Sequence, residues 1–110
     1  MTKLVFIAHP ISGNIKDNVK NILEICKKVH TKDIIPIAPY LTAFQYLDNE
    51  IKDDKERGVQ ANEEFFKRKI IDELWLCGDK ISKGMREEIK LSKENNIPIK
   101  FYNKELEKEL

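Results

Sequence analysis

Residues Ile71–Ser92, IDELWLCGDKISKGMREEIKLS, decide the fold that the rest of the sequence supports. An apolar run ending at Cys77 leads into a turn punctuated by Gly78 and Gly84, and a charged amphipathic segment follows. This pattern predicts a strand, a loop and the start of a helix, the arrangement in which α/β proteins hold small polar or anionic ligands. The stretch therefore predicts an α/β protein with a ligand site in this loop.

The alternation of strands and helices extends over the whole chain. Apolar runs predict strands at Lys3–Ala8, Ile34–Ala38, Glu73–Cys77 and Ile97–Phe101, and three- and four-residue apolar spacing predicts helices at Asn14–His30, Lys55–Lys69 and Lys83–Asn95. This alternation predicts a small doubly wound, flavodoxin- or Rossmann-like parallel sheet of four to five strands with helices on both faces. The order 2-1-3-4 makes the first strand central, and Pro36 favours an edge position for the second. Residues Pro39–Arg57 follow no regular pattern and predict a connection that covers the site.

Length and charge limit the classes of function. A chain of 110 residues builds one core, which we assign to residues 1–102, followed by a polar tail at residues 103–110. Its 20 basic and 19 acidic residues give no overall field for a nucleic-acid polymer or an anionic membrane. No apolar run reaches membrane-spanning length, and Cys26 and Cys77 have no partner at metal-ligand spacing. We expect a soluble cytoplasmic protein with both thiols reduced and buried.

Several standard cofactor motifs are absent. The sequence contains no G-x-G-x-x-G or Walker A run, and neither His9 nor His30 has a second His or Cys at ligand spacing. We therefore expect neither a metal nor an organic cofactor. His9 is either a loop residue held extended by Pro10 or a hydrogen-bonding group at the mouth of the site.

The segment Ser82–Ile89, S-x-G-x-x-x-E-I at the start of a helix, resembles the signature of the nucleoside 2-deoxyribosyltransferase superfamily, which includes the 2'-deoxynucleoside 5'-phosphate N-hydrolases. The likeness covers most of the chain, because FIAHPISGN (Phe6–Asn14) resembles the first strand and loop of that family and IIDELWL (Ile70–Leu76) its third strand. The phrases IPIAPYL (Ile35–Leu41) and DELW are also similar to an uncharacterised bacterial and phage domain family of this fold.

The resemblance implies that Glu88 is a catalytic carboxylate that attacks the anomeric carbon of a nucleoside. A carboxylate suits this role because cleavage of an N-glycosidic bond passes through a cationic sugar. We expect the helix N-terminus to keep Glu88 ionised at neutral pH. Alternatively, Glu88 only complements the helix dipole.

Two other carboxylates are candidates for the catalytic set. Relatives carry an aspartate on the helix before the third strand, where this chain has Glu64, which is one methylene longer. Asp79 follows the third strand and is expected to face the crevice. Glu64 is otherwise a solvated helix residue.

The loops at the carboxyl ends of the predicted strands supply the candidate ligand contacts. These are Ala8, His9, Ser12, Gly13, Asn14, Tyr40, Gly78, Ser82, Gly84 and Met85. The resemblance implies that Ser82 and Gly84 approach the sugar or phosphate and that Ser12 and Gly13 bind a 5'-phosphate. The same residues are also ordinary in turns and helix caps.

Two functions remain open at this point. The first is an enzyme that hydrolyses or transfers the base of a (deoxy)nucleoside or its monophosphate; the second is a non-catalytic nucleotide-binding protein that senses or sequesters its ligand. We also expect a homo-oligomer, because Phe44, Tyr46, Phe65 and Phe66 are many aromatic rings for so small a sheet to bury. The alternative is that these rings complete the core of the monomer.

Overall fold

The computed structural model describes residues 1–110 as one α/β unit. Its elements are β1 (Lys3–Ala8), α1 (Ile15–Val29), β2 (Ile34–Ile37), α2 (Tyr40–Ala43), α3 (Lys52–Lys67), β3 (Glu73–Leu76), α4 (Lys83–Glu94), β4 (Ile99–Phe101) and a 3₁₀ helix (Lys104–Glu109). The strands form one parallel sheet in the order β2-β1-β3-β4. The predicted fold class, strand order and edge position of the strand containing Pro36 are confirmed.

Central strand β1 has apolar side chains on both faces of the sheet, and each set packs on a different layer. Val5 and Ile7 belong to a cluster with Ile22 and Ile25 of α1. Phe6 belongs to a larger cluster built with α3, α4 and the 3₁₀ helix. Because alternate residues of a strand point to opposite faces, the continuous apolar run of β1 matches a sheet covered on both sides.

Helix α3 begins at Lys52, three residues before the predicted start, and a short helix α2 lies within the segment predicted to be irregular. The first turns of α3 carry mainly charged side chains, with Lys52 paired to Glu56 and Arg57 to Asp54 at the surface. These turns bury little apolar surface, so the spacing of apolar residues did not reveal them.

The last strand is shorter than predicted because the backbone turns before it. Asn96 has a φ of +57°, and Pro98 has no N–H to donate, so regular pairing begins at Ile99 rather than Ile97. After β4 the polar tail forms the 3₁₀ helix, and Leu106 is buried in the larger apolar cluster. The last residues therefore pack on the domain.

The loops that follow β1 and β3 touch each other at Gly78. Its φ is +87°, and a Cβ atom placed there would lie 2.7 Å from Cδ of Pro10 and 3.2 Å from the ring of His9. Only glycine permits this approach without a shift of the neighbouring loop. The contact fixes the spacing of the two loops at the carboxyl ends of the central strands.

Both cysteines are free thiols. Cys77 is buried as predicted, whereas Cys26 is only half-buried. None of the helices is both long enough and apolar enough to cross a membrane.

Candidate active site

A cavity of about 730 Å³ opens at the carboxyl ends of the strands. Its walls come from the loop after β1, from α2 and the loop that follows it, from one position on α3, and from the first turns of α4. Cavities of a few hundred to about 1,000 Å³ are typical of small-molecule sites, and this end of a doubly wound sheet is their usual position. The predicted location of the ligand site agrees with this cavity.

Glu88 is the buried acidic residue of the cavity. Its side chain is 8% exposed, and its Oε2 accepts a hydrogen bond of 3.0 Å from Nδ2 of Asn62. Burial raises the pKa of Glu88 to about 8. The expectation that the helix N-terminus keeps Glu88 ionised is therefore wrong: Glu88 lies beyond the first turn of α4, where the dipole is weak, and desolvation dominates.

Asn62, rather than Glu64, is the α3 residue that reaches the cavity. Oε1 of Glu64 accepts a hydrogen bond of 3.0 Å from Nε of Arg68, and Glu64 does not line the cavity. Two residues correspond to about 200° around a helix, so the two side chains leave α3 in nearly opposite directions. The signal that identifies Asn62 is its four-residue spacing from Phe66, a core residue on the same face of α3.

Asp79 lies on the other side of the loop after β1. It lines a separate polar groove of about 680 Å³ together with Asn14, Gly78 and residues of α1. Gly13 lines neither cavity, and Ala8 is buried in the core. Of the predicted site residues, Asp79, Ala8, Gly13, Asn14 and Gly78 do not line the cavity that contains Glu88, and His9 borders both openings.

The start of α4 is capped by its own sequence. Oγ of Ser82 accepts a hydrogen bond of 3.2 Å from the backbone N–H of Met85, which satisfies one of the free donors of the first turn. The backbone N–H groups of Lys83 and Gly84 have no acceptor in the protein. Ser82 thus acts as a cap, and the two neighbouring N–H groups are open to solvent.

His9 is held by the protein on both ring nitrogens. Nδ1 lies 2.7 Å from the carbonyl oxygen of Pro10, and Nε2 lies 2.8 Å from Nδ2 of Asn21. The carbonyl requires a donor at Nδ1, so Nε2 accepts from the amide of Asn21. His9 borders the cavity as part of its wall, and the reading of this residue as a structural loop residue is the one that its contacts favour.

Tyr40 lies at the start of α2 and forms another part of the wall. Its hydroxyl donates a hydrogen bond to the carbonyl oxygen of Ile7, and its ring packs against Phe6. Burial, followed by the nearby Glu88, raises the pKa of Tyr40 well above its usual value. The hydroxyl therefore stays protonated and ties α2 to the central strand.

Six of the ten predicted ligand contacts line the cavity. These are His9, Ser12, Tyr40, Ser82, Gly84 and Met85. The connection predicted at Pro39–Arg57 also lines the cavity, through Phe44, Tyr46, Asp48 and Glu50, although none of these was predicted as an individual ligand contact. Their pattern is irregular, and only the path of the chain brings them over the opening.

The fold and the cavity define a class: a parallel, doubly wound α/β protein with one buried carboxyl group at the carboxyl ends of its strands. Residues 3–102 match the family model described as a domain of unknown function (DUF7768), and the chain belongs to that family. Neither the curated proteins nor the solved structures contain a match to the chain.

The raised pKa of Glu88 predicts a specific pH dependence of stability. Between about 4.5 and about 8 the unfolded chain releases the Glu88 proton while the folded protein keeps it, so the free energy of unfolding should fall as pH rises. We expect urea unfolding across this pH window to show a decrease in the free energy of unfolding of the wild type. The decrease should be smaller for Glu88→Gln. Glu87→Gln, at an exposed neighbour, is the matched control. A wild-type profile parallel to that of Glu88→Gln would contradict a raised pKa.

Proposed function

We propose that the cavity binds a nucleoside or its monophosphate and that Glu88 attacks the anomeric carbon to cleave or transfer the N-glycosidic bond. The observation that carries the proposal is a buried carboxyl group, oriented by Asn62, in a cavity whose volume is typical of small-molecule sites. The resemblance of Ser82–Ile89 to the deoxyribosyltransferase signature supports the same role for Glu88.

The chemistry uses the low polarity around Glu88. A carboxylate in such surroundings stabilises a developing positive charge more strongly than one in water does. Glu88 is mainly protonated in the free protein at neutral pH, and a nearby cation favours its ionised form. One carboxylate oxygen of Glu88, Oε1 or Oε2, forms an ester bond to the anomeric carbon of the sugar. Water or a second base then releases the sugar from this ester.

Asn62 acts as a positioning residue in this proposal. Its Nδ2 donates to Oε2 of Glu88, and Oε1 has no hydrogen-bond partner in the protein. The amide therefore fixes the orientation of the carboxyl group and leaves one oxygen for the ligand.

A second function, binding without catalysis, is favoured by a specific observation. From the sequence, Glu64 and Asp79 were the candidates for a second catalytic carboxylate beside Glu88. Neither of them lines the cavity. In this alternative, protonated Glu88 forms a hydrogen bond to a sugar hydroxyl or to the base, and the protein senses or sequesters a nucleotide.

We further propose that the protein forms a homo-oligomer in the cytoplasm. Two of the four aromatic rings, Phe65 and Phe66, do not need a second copy to cover them, because Phe66 is fully buried and Phe65 packs against the core. Phe44 and Tyr46 remain 38% and 72% exposed beside the cavity, and a second copy would cover them there.

Replacement of Glu88 separates catalysis from binding. Glu88→Gln keeps the shape of the protonated side chain but cannot form the anion, so base release should fall by at least about a hundredfold while the ligand still binds. The measurement is chromatography of free base from ribo- and deoxyribonucleosides, their monophosphates and analogues with N-alkylated bases.

Glu87→Gln again serves as the control and should retain turnover. Base release that is unchanged in Glu88→Gln would remove Glu88 from the mechanism. Absence of turnover by wild type for every compound, together with ligand binding, would favour the non-catalytic alternative.

A phosphate, if the ligand has one, belongs at the start of α4 in this proposal rather than at α1. The first turn of α1 already contains Asp17, whose Oδ2 accepts from Asn14, whereas α4 has no acidic residue in its first turn and offers two free N–H groups beside Lys83. The helix dipole and the lysine both favour an anion there.

We therefore expect nucleoside monophosphates to raise the melting temperature more than the matching nucleosides do. Lys83→Ala should reduce the difference in melting-temperature shift between monophosphate and nucleoside, because it removes the one lysine or arginine of the cavity lining. Lys80→Ala, at an exposed position outside the cavity, should leave it unchanged. Equal shifts for nucleoside and monophosphate with wild type would exclude a phosphate site.

A further inference from the structure

The cavity contains one buried carboxyl group and no second buried carboxyl group that could protonate a departing base. The ring nitrogens of His9 and the hydroxyl of Tyr40 are already engaged within the protein. The remaining charged side chains of the lining, Asp48, Glu50 and Lys83, are all exposed to solvent.

Glu88 cannot supply the missing proton while it acts as nucleophile. The attacking carboxylate and the group that protonates the leaving atom stand on opposite sides of the scissile bond. A neutral base leaves as an anion unless it is protonated, and a positioned acid contributes about 10²–10⁴-fold to such a step. A base that already carries a positive charge leaves as a neutral molecule and needs no proton.

A second observation, independent of the first, concerns the part of the lining that follows α2. Phe44, Tyr46, Asp48 and Glu50 belong to this part, and Oδ1 of Asp48 accepts a hydrogen bond from the backbone N–H of Glu50. Carboxylates attract cations, and aromatic faces bind them by cation–π interaction. Apart from Lys83, every charged side chain of the lining is acidic.

We propose that the substrate of this site is a nucleoside or nucleotide with a cationic base, such as an N-ribosyl pyridinium or an N7-alkylated purine. The inference rests on the proposed function, because it assumes that Glu88 attacks the anomeric carbon. It specifies the leaving group, which the sequence did not.

The step balances without an added acid. On binding, Glu88 loses its proton to solvent in favour of the nearby positive charge. A carboxylate oxygen then forms a bond to C1′ while the C1′–N bond breaks, and the bonding pair moves to the ring nitrogen and cancels the charge of the base. The neutral base departs; water hydrolyses the ester, adding its hydroxyl to the sugar and one proton to solvent, and the carboxylate is restored.

The test compares substrates that differ by one methyl group. Guanosine is neutral and N7-methylguanosine is cationic. Both are tested as ribo- and deoxyribonucleosides, with and without a 5'-phosphate. Nicotinamide riboside and its monophosphate provide a smaller cationic base. We expect kcat/KM for a cationic member to exceed that of guanosine by at least about a hundredfold, since the protein supplies no acid to offset the difference in leaving group. Glu88→Gln should abolish the enzymatic rate for both.

The acidic lining is tested by the double variant Asp48→Asn, Glu50→Gln. Both positions are exposed, so the fold should persist, and the variant should raise KM for the cationic substrate by a larger factor than KM for guanosine. Asp53→Asn combined with Glu56→Gln, on α3 and outside the cavity, is the matched control.

The outcomes separate this inference from the function on which it rests. Glu88-dependent cleavage of guanosine within tenfold of the cationic compounds would overturn the cationic-base inference and leave the N-glycosidic function standing. Absence of cleavage for every compound would overturn both.

Discussion

The structure depends on a central strand that is buried on both faces. Val5, Phe6, Ile7 and Ala8 of β1 have no exposed surface. Backbone N–H and C=O groups in such a position must be paired on both sides, and the parallel neighbours β2 and β3 provide those partners. Parallel pairing requires crossover helices, and these bring the loops after β1 and β3 to one edge of the sheet. The candidate site exists because of this constraint.

The same packing determines the charge of the candidate catalytic group. Met85 and Ile89 of α4 belong to the large apolar cluster, so the face of α4 that contains them lies against the sheet and α3. Glu88, next to Ile89, is drawn out of water by this contact and has Asn62 as its hydrogen-bond donor. An isolated buried anion is costly, and the carboxyl group responds by keeping its proton. In the proposed function a cationic ligand would reverse this preference, because a nearby positive charge favours the ionised carboxylate.

Much of the fold follows from local patterns, whereas the composition of the site depends on helix register. The apolar run of β1 and the spacing on α1 and α4 are strong signals, and they gave the correct class and strand order. The start of α3 has charged turns with little apolar content, so its position was set three residues late. Glu64 was identified through the family resemblance, which does not determine the helix face. A difference of two residues turns a side chain by about 200° around the helix, and Asn62 rather than Glu64 lines the cavity. From the sequence alone, a glutamate that forms a surface ion pair with Arg68 could not be distinguished from a catalytic glutamate.

Direct titration of the Glu88 carboxyl group tests the central claim, that a buried carboxyl group of the cavity is protonated in the free protein. The carboxyl carbon can be followed by NMR with ¹³C-labelled glutamate and assigned by its absence in Glu88→Gln. We expect a titration midpoint near 8 for Glu88 in the free protein. A midpoint near the ordinary value of 4.5, with Glu88 already ionised at neutral pH, would contradict it.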